Sequence, residues 1–304
     1  MQVPKGCTLT IKGCGKLEAR ADKAAVIGAG TSTGSCGNIC IKGGDITVSK
    51  ASKTDYTVGI GVSSYDQDNI TCGDITIEGG DINIKKVCVG IGSYGERADF
   101  IVCGKITING GTVIAEVIPE AYGAGIGSGV NMISQNNSAM CGDITINGGT
   151  VIATGAYGAA GIGSGIRQDN RSSICCNIKI TGGTVTATGN AGGAGIGTGW
   201  NNSDSQKTSC REITITGGTV TATAIDDTGV QSAAGIGTGF KGYCGKISVT
   251  GGIVTATRST YKNCFDIGFK YRSGGTTVKV DSSVRTSDGK GYTCVVTDWG
   301  YNQE

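Results

Sequence analysis

The chain has 304 residues, with 26 basic and 24 acidic side chains, no histidine, 56 glycines and only 2 prolines. The near-neutral balance argues against a nucleic-acid binder, and the missing histidine removes the commonest general base and transition-metal ligand. Aromatic residues at 5% are too few for an ordinary globular core, and glycine without a Gly-X-Y period excludes collagen.

In chain order, residues 1–35 read as an N-terminal cap and a first coil. The opening MQVPKGCTLTIKG runs directly into a strand in which Leu9 and Ile11 take the inward positions. No signal peptide is visible there, and the expectation is that a natural leader has been removed. Residues 36–275 repeat one unit, clearest over 141–165 as CGDITINGGTVIATGAYGAAGIGSG. Ile144 and Ile146 share one face of a short first strand, and Gly148-Gly149 breaks it. In the second strand Val151 and Ala153 face one way and Thr150, Ile152 and Thr154 the other. The third piece presents Ile162 alone between glycines. Three short strands with glycine corners describe one turn of a triangular coil.

The apolar pair fixes the register of every copy, and ahead of it stands a cysteine: Cys36, Cys72, Cys103, Cys141, Cys175, Cys210 and Cys244, spaced 31 to 38 residues apart. A repeat of strands at this period predicts a solenoid. The expected fold is all-β: a right-handed single-stranded parallel β-helix, three-sided, of about eight coils, forming one domain over 1–304. Coils over 36–102 carry charge on the outer face of strand two, including Asp45, Asp81 and Lys85. Coils over 103–243 are the regular part, with a polar loop of variable length after each GIGSG or GIGTG. In the last coil, 244–275, FDIGF replaces AGIGSG, and 276–304 reads as strands and a C-terminal cap. No apolar run approaches the ~20 residues of a membrane span.

Neighbouring coils lie about 4.8 Å apart, inside the usual Cα separation of roughly 4.4–6.8 Å for a disulfide. The cysteine row therefore reads either as disulfide staples of a secreted protein or as a reduced ladder of small buried side chains. Seven members cannot pair fully among themselves. Full oxidation of all 14 cysteines would draw in Cys7, Cys14, Cys40, Cys88, Cys176, Cys264 or Cys294, and connectivity stays open.

Three surfaces are candidates for function. The outer face of strand two aligns Thr184, Thr186 and Thr188 with Thr219, Thr221 and Thr223, a Thr-x-Thr array of the kind that orders water on ice; β-propensity alone also favours threonine there. The residue just past each GxG (Val130, Ile166, Trp200, Phe240, with Tyr271 in the same row) puts aromatic rings beside Asn201 and Asn202. Such rings suit stacking on sugar C–H faces, whereas Val130 and Ile166 favour a row that tucks inward and anchors the loops. The outer row of strand one runs Asn38, Asp74, Lys105, Asp143, Asn177, Glu212, Lys246. With no two acidic neighbours it implies no calcium cluster, and no metal or other cofactor is expected.

The alternation of CGxITIxGGxVxAT with GAGIGSG resembles Gly-rich β-helix repeats in large surface proteins of anaerobic Gram-positive bacteria, and VPKGCTLTIKGCGKLEA is similar to how those repeats open. Less closely it resembles a carbohydrate-binding β-helix family that shares its fold with pectate lyases, whose acidic calcium pattern is not matched. The resemblance implies a non-catalytic, secreted or cell-surface module of an adhesin. Such a module acts as a structural stalk, as a carbohydrate-binding element, or as both. Its partners would be a glycan or polysaccharide and other segments of a larger surface protein. A lyase-like polysaccharide-active enzyme and an ice-binding face are the alternatives.

Overall fold

The computed structural model describes residues 1–30, 34–51, 56–65, 69–96, 100–130, 138–166, 172–202, 208–225, 232–260 and 265–268, with the backbone of strands 277–280 and 285–286. No helix forms among them, so none is long and apolar enough to cross a membrane. The chain winds as a right-handed parallel β-helix. Its third face is a sheet of eight strands stacked in chain order, from Ala25–Ala29 to Ile267–Gly268, and the other two faces share a 19-stranded sheet. In six turns the strands of the first two faces are separate. In the next two they merge into Thr208–Ile225 and Tyr243–Thr257, which run on through the glycine pair.

Register follows the apolar pattern on every face. Ile39, Ile75, Ile106, Ile144, Ile178, Ile213 and Ile247 stack in one column of the first face. Val113, Val151, Val185, Val220 and Val254 do so on the second. On the third face the column runs Ile27, Ile60, Ile91, Ile126, Ile162, Ile196, Ile236, Ile267. All of these are buried, and Ile144, Val151 and Ile162 are fully so. A column of stacked aliphatics is therefore a complete core, which explains how a chain so poor in aromatics folds. The first turn is covered on one side only among the described residues, and Leu9, Ile11 and Leu17 there are partly buried.

Glycine is structural where turns come closest. Gly163 has φ +138°, and a Cβ there would lie 1.8 Å from the carbonyl oxygen of Gly197 in the next turn. At the first corner Gly149 has φ +81°, with a Cβ position 2.5 Å from the Gly111 oxygen. A side chain at either place meets both a left-handed backbone and a neighbouring carbonyl.

The triangular unit needs one correction. The cysteine lies on a short strand of its own ahead of the first face: Ile70–Cys72, Ile101–Cys103 and Ser138–Cys141, in parallel register with one another. The cause is the same period of two, since Ile70, Ile101 and Ala139 point inward two residues before each cysteine. From Ser172–Ile180 onward this piece fuses with the first-face strand.

At the outer corners polar side chains link turn to turn. Asn109 Nδ2 donates to Glu78 (3.2 Å), Asn147 Nδ2 to Asn109 Oδ1 (2.8 Å), and the Thr181 hydroxyl to Asn147 Oδ1 (2.8 Å).

Candidate functional site

The row after GxG divides where the side chains grow. Val130 and Ile166 are completely buried, so the anchoring expectation holds for them. Trp200 and Phe240 are half-buried on the same edge. Their backbones are tied to the loop that joins faces two and three. The Ile166 N–H donates to the Tyr122 oxygen (3.2 Å), Trp200 N–H to Gly158 (2.6 Å), and Phe240 N–H to Gly192 (2.8 Å). A repeated contact of this kind sets each ring against the loop of an earlier turn.

Against Trp200 stands Tyr157, with ring centroids 6.2 Å apart and planes at 75°, an edge-on pair. Lys241 Nζ lies 6.0 Å from the Phe240 ring centroid. Asn201 is 1% exposed, so it is a structural clamp and not a free surface group. Its N–H donates to the Phe240 oxygen (2.8 Å) and its Nδ2 to the Lys241 oxygen (3.2 Å). Asn202 is half-buried beside it. The indole Nε1 of Trp200 is buried with no hydrogen-bond partner among the described residues. Tyr271, expected in this row, lies outside the described residues. Tyr157 was missed from sequence because it sits on a different loop, one turn away from Trp200.

The strand-one outer row forms a ladder of local contacts. Asp74 N–H donates to Asn38 Oδ1 (2.9 Å), Lys105 N–H to Asp74 Oδ1 (2.8 Å), and Asn177 Nδ2 to Asp143 Oδ1 (2.9 Å). Lys246 Nζ donates to Glu212 Oε1 at 3.0 Å, and this contact, followed by the Thr214 hydroxyl, holds the Glu212 carboxyl below its ordinary value. A shallow depression of about 310 Å³ opens here, lined by Asp143, Asn177, Lys179, Glu212 and Thr214. Its two carboxylates sit two turns apart with Asn177 between them. No group of three or more Cys, Asp and Glu is placed to hold a metal among the described residues.

On the outer face of strand two the threonines align in columns. Thr154, Thr188, Thr223 and Thr257 form one, and Thr186, Thr221 and Thr255 another. The third, Thr112, Thr150, Thr184 and Thr219, ends on Ile253, which is 64% exposed.

Four segments of the chain, 106–130, 144–166, 178–200 and 213–240, match the family model of the beta helix repeat. Each begins at a first-face isoleucine and closes on Val130, Ile166, Trp200 or Phe240. Those four segments carry the beta helix repeat, and the chain as a whole winds as a parallel β-helix. The row that carries the aromatics is therefore the last position of the repeat itself and not an insertion beyond it. Comparison with curated proteins and with solved structures yields no match.

Proposed function

We propose that this β-helix repeat protein is a non-catalytic extracellular module of a bacterial surface adhesin, a rigid stalk that contacts carbohydrate along one edge. The observation that carries the reading is the Tyr157–Trp200–Phe240 edge. It presents half-buried rings from three successive turns, with the backbones of Trp200 and Phe240 fixed by hydrogen bonds to earlier turns. Rings held in this way need no reordering to meet the apolar face of a sugar, which lowers the entropy lost on binding. The Cys36–Cys72 disulfide supports an oxidising, extracellular setting.

The test is retention on insoluble polysaccharides and a glycan array, run together with assays for released unsaturated product and for thermal hysteresis. Binding without turnover, reduced at least about tenfold (1.4 kcal/mol) in Trp200→Ala and Phe240→Ala, is the expected result. Product release would replace this reading with a lyase-like enzyme acting at the Asp143–Glu212 depression. Silence in all three assays would remove the glycan contact and leave the stalk. A second reading, ice binding, draws on the in-register threonine columns; thermal hysteresis abolished by Thr221→Lys would favour it.

A further inference from the structure

Seven cysteines occupy one register position through seven successive turns. Cys36 and Cys72 are joined by a disulfide with their Cα atoms 4.5 Å apart. Below them Cys72 pairs in register with Cys103, Cys103 with Cys141, Cys141 with Cys175, Cys175 with Cys210, and Cys210 with Cys244. The last five are free thiols, and all are buried. Side-chain contacts join Cys103 to Cys141 and Cys175 to Cys210, with a further one between Cys210 and Cys244.

We infer that these five thiols are a set of disulfide-forming sites that close only between successive turns. One bond joins Cys103 to Cys141, a second lies within Cys175, Cys210 and Cys244, and one thiol is left over. Geometry limits the pairing. Cα atoms one turn apart lie about 4.8 Å from each other, inside the roughly 4.4–6.8 Å range of a disulfide, whereas two turns put them roughly 10 Å apart and outside it. Five consecutive sites with neighbour-only pairing always leave one unpaired. This does not depend on the aromatic edge or on any ligand.

The oxidant is a small-molecule disulfide such as oxidised glutathione. A Cys141 thiolate attacks one glutathione sulfur, forming a mixed disulfide and expelling one glutathione thiolate. The Cys103 thiolate then attacks the Cys141 sulfur, forming the Cys103–Cys141 bond and releasing the second glutathione. The column loses two electrons and two protons, and oxidised glutathione gains both. In the folded chain the contact with Cys103 and complete burial push the Cys141 thiol well above its ordinary value. The contact with Cys210 and burial do the same for Cys244. Thiolate at Cys141 and Cys244 is therefore scarce once the turns are stacked, so exchange with glutathione runs while the turns open and close during folding, and the stacked register decides which bonds persist.

The test is to refold the reduced full-length chain in a mixture of oxidised and reduced glutathione, alkylate in denaturant, digest, and map linked peptides by mass spectrometry. The expected map holds Cys36–Cys72, Cys103–Cys141, and either Cys175–Cys210 or Cys210–Cys244, with one column thiol alkylated per molecule. In Cys103→Ser the pairing shifts by one turn to Cys141–Cys175 with Cys210–Cys244, and the alkylated column thiol falls from one to none. Alkylation of all five thiols overturns the inference. So does a Cys141–Cys175 bond in the unsubstituted chain, or a bond from the column to Cys40 or Cys176. If Cys103→Ser does not fold, the unsubstituted map decides alone.

Discussion

Gly163→Ala tests one of the closest approaches in the solenoid. The added methyl would sit 1.8 Å from the Gly197 carbonyl oxygen, on a backbone whose φ of +138° an L-residue rarely adopts. Holding alanine in such a conformation costs about 1–3 kcal/mol, and forcing apart a packed contact costs about another 1–3 kcal/mol. The expected loss is thus about 2–6 kcal/mol, a large share of the roughly 5–15 kcal/mol by which a typical domain is stable. The Gly197 carbonyl has little freedom to move, because it accepts the Ser164 N–H at 3.0 Å. In a solenoid the loss should appear first in the turns around residue 163, since stability there is a sum over neighbours. Urea unfolding followed by circular dichroism measures it. Gly15→Ala is the control: its φ is not left-handed and no heavy atom lies within 4 Å of the added carbon, so a change within about 0.5 kcal/mol is expected. Equal midpoints for the two variants would refute the close-packing argument.

The core columns make a similar contrast. Ile144→Ala should cost about 2–5 kcal/mol in the same urea assay, and Thr145→Ala, on the outer face, within about 0.5 kcal/mol. The Glu212–Lys246 pair is half-exposed, so Glu212→Gln should cost only about 0.2–1 kcal/mol near neutral pH. Because the folded Glu212 carboxyl lies below its ordinary value, that contribution is present above the unfolded glutamate pKa and is lost as pH falls through the folded one. The wild-type and Glu212→Gln unfolding curves should therefore converge in acid; a constant gap down to about pH 2 contradicts the assignment. Tyr157→Ala should weaken polysaccharide retention together with Trp200→Ala, since it removes the edge that holds the indole in place, and full retention would separate Tyr157 from the contact surface.

The architecture was legible because the signal is repeated. Ile39, Ile75 and Ile106 stand in the same place of each copy, and a one-residue slip would turn every one of them outward. The degenerate copies followed the same rule. Leu9 and Ile11 pair with Ile39 and Ile41, and Ile267 of FDIGF stacks on Ile236. The extra short strand was also written in period two, as Ile101 and Cys103, but brevity hid it: a run of three residues that ends at Gly104 carries little pattern. The candidate edge was only half legible. The row itself could be counted off from GxG, but the split between buried Ile166 and half-buried Trp200 depends on side-chain size against a loop of an earlier turn. The Tyr157–Trp200 contact joins two loops of different length, and periodicity says nothing about where such loops meet. Asn201 looked like a free polar group and is a buried clamp, because the short FKGY loop of the next turn brings two carbonyls over it.

The central claim is the in-register parallel stack, and nuclear magnetic resonance on full-length protein labelled at threonine and isoleucine tests it most directly. Thr188 should show through-space contacts to Thr154 and Thr223, its partners one turn away on either side, and none to Thr257, two turns off. In the adjacent column Thr186 should contact Ile152 in the preceding turn and Thr221 in the following one. A Thr188–Thr257 contact without the two nearer ones, or an antiparallel pattern, would contradict the stack and everything built on it.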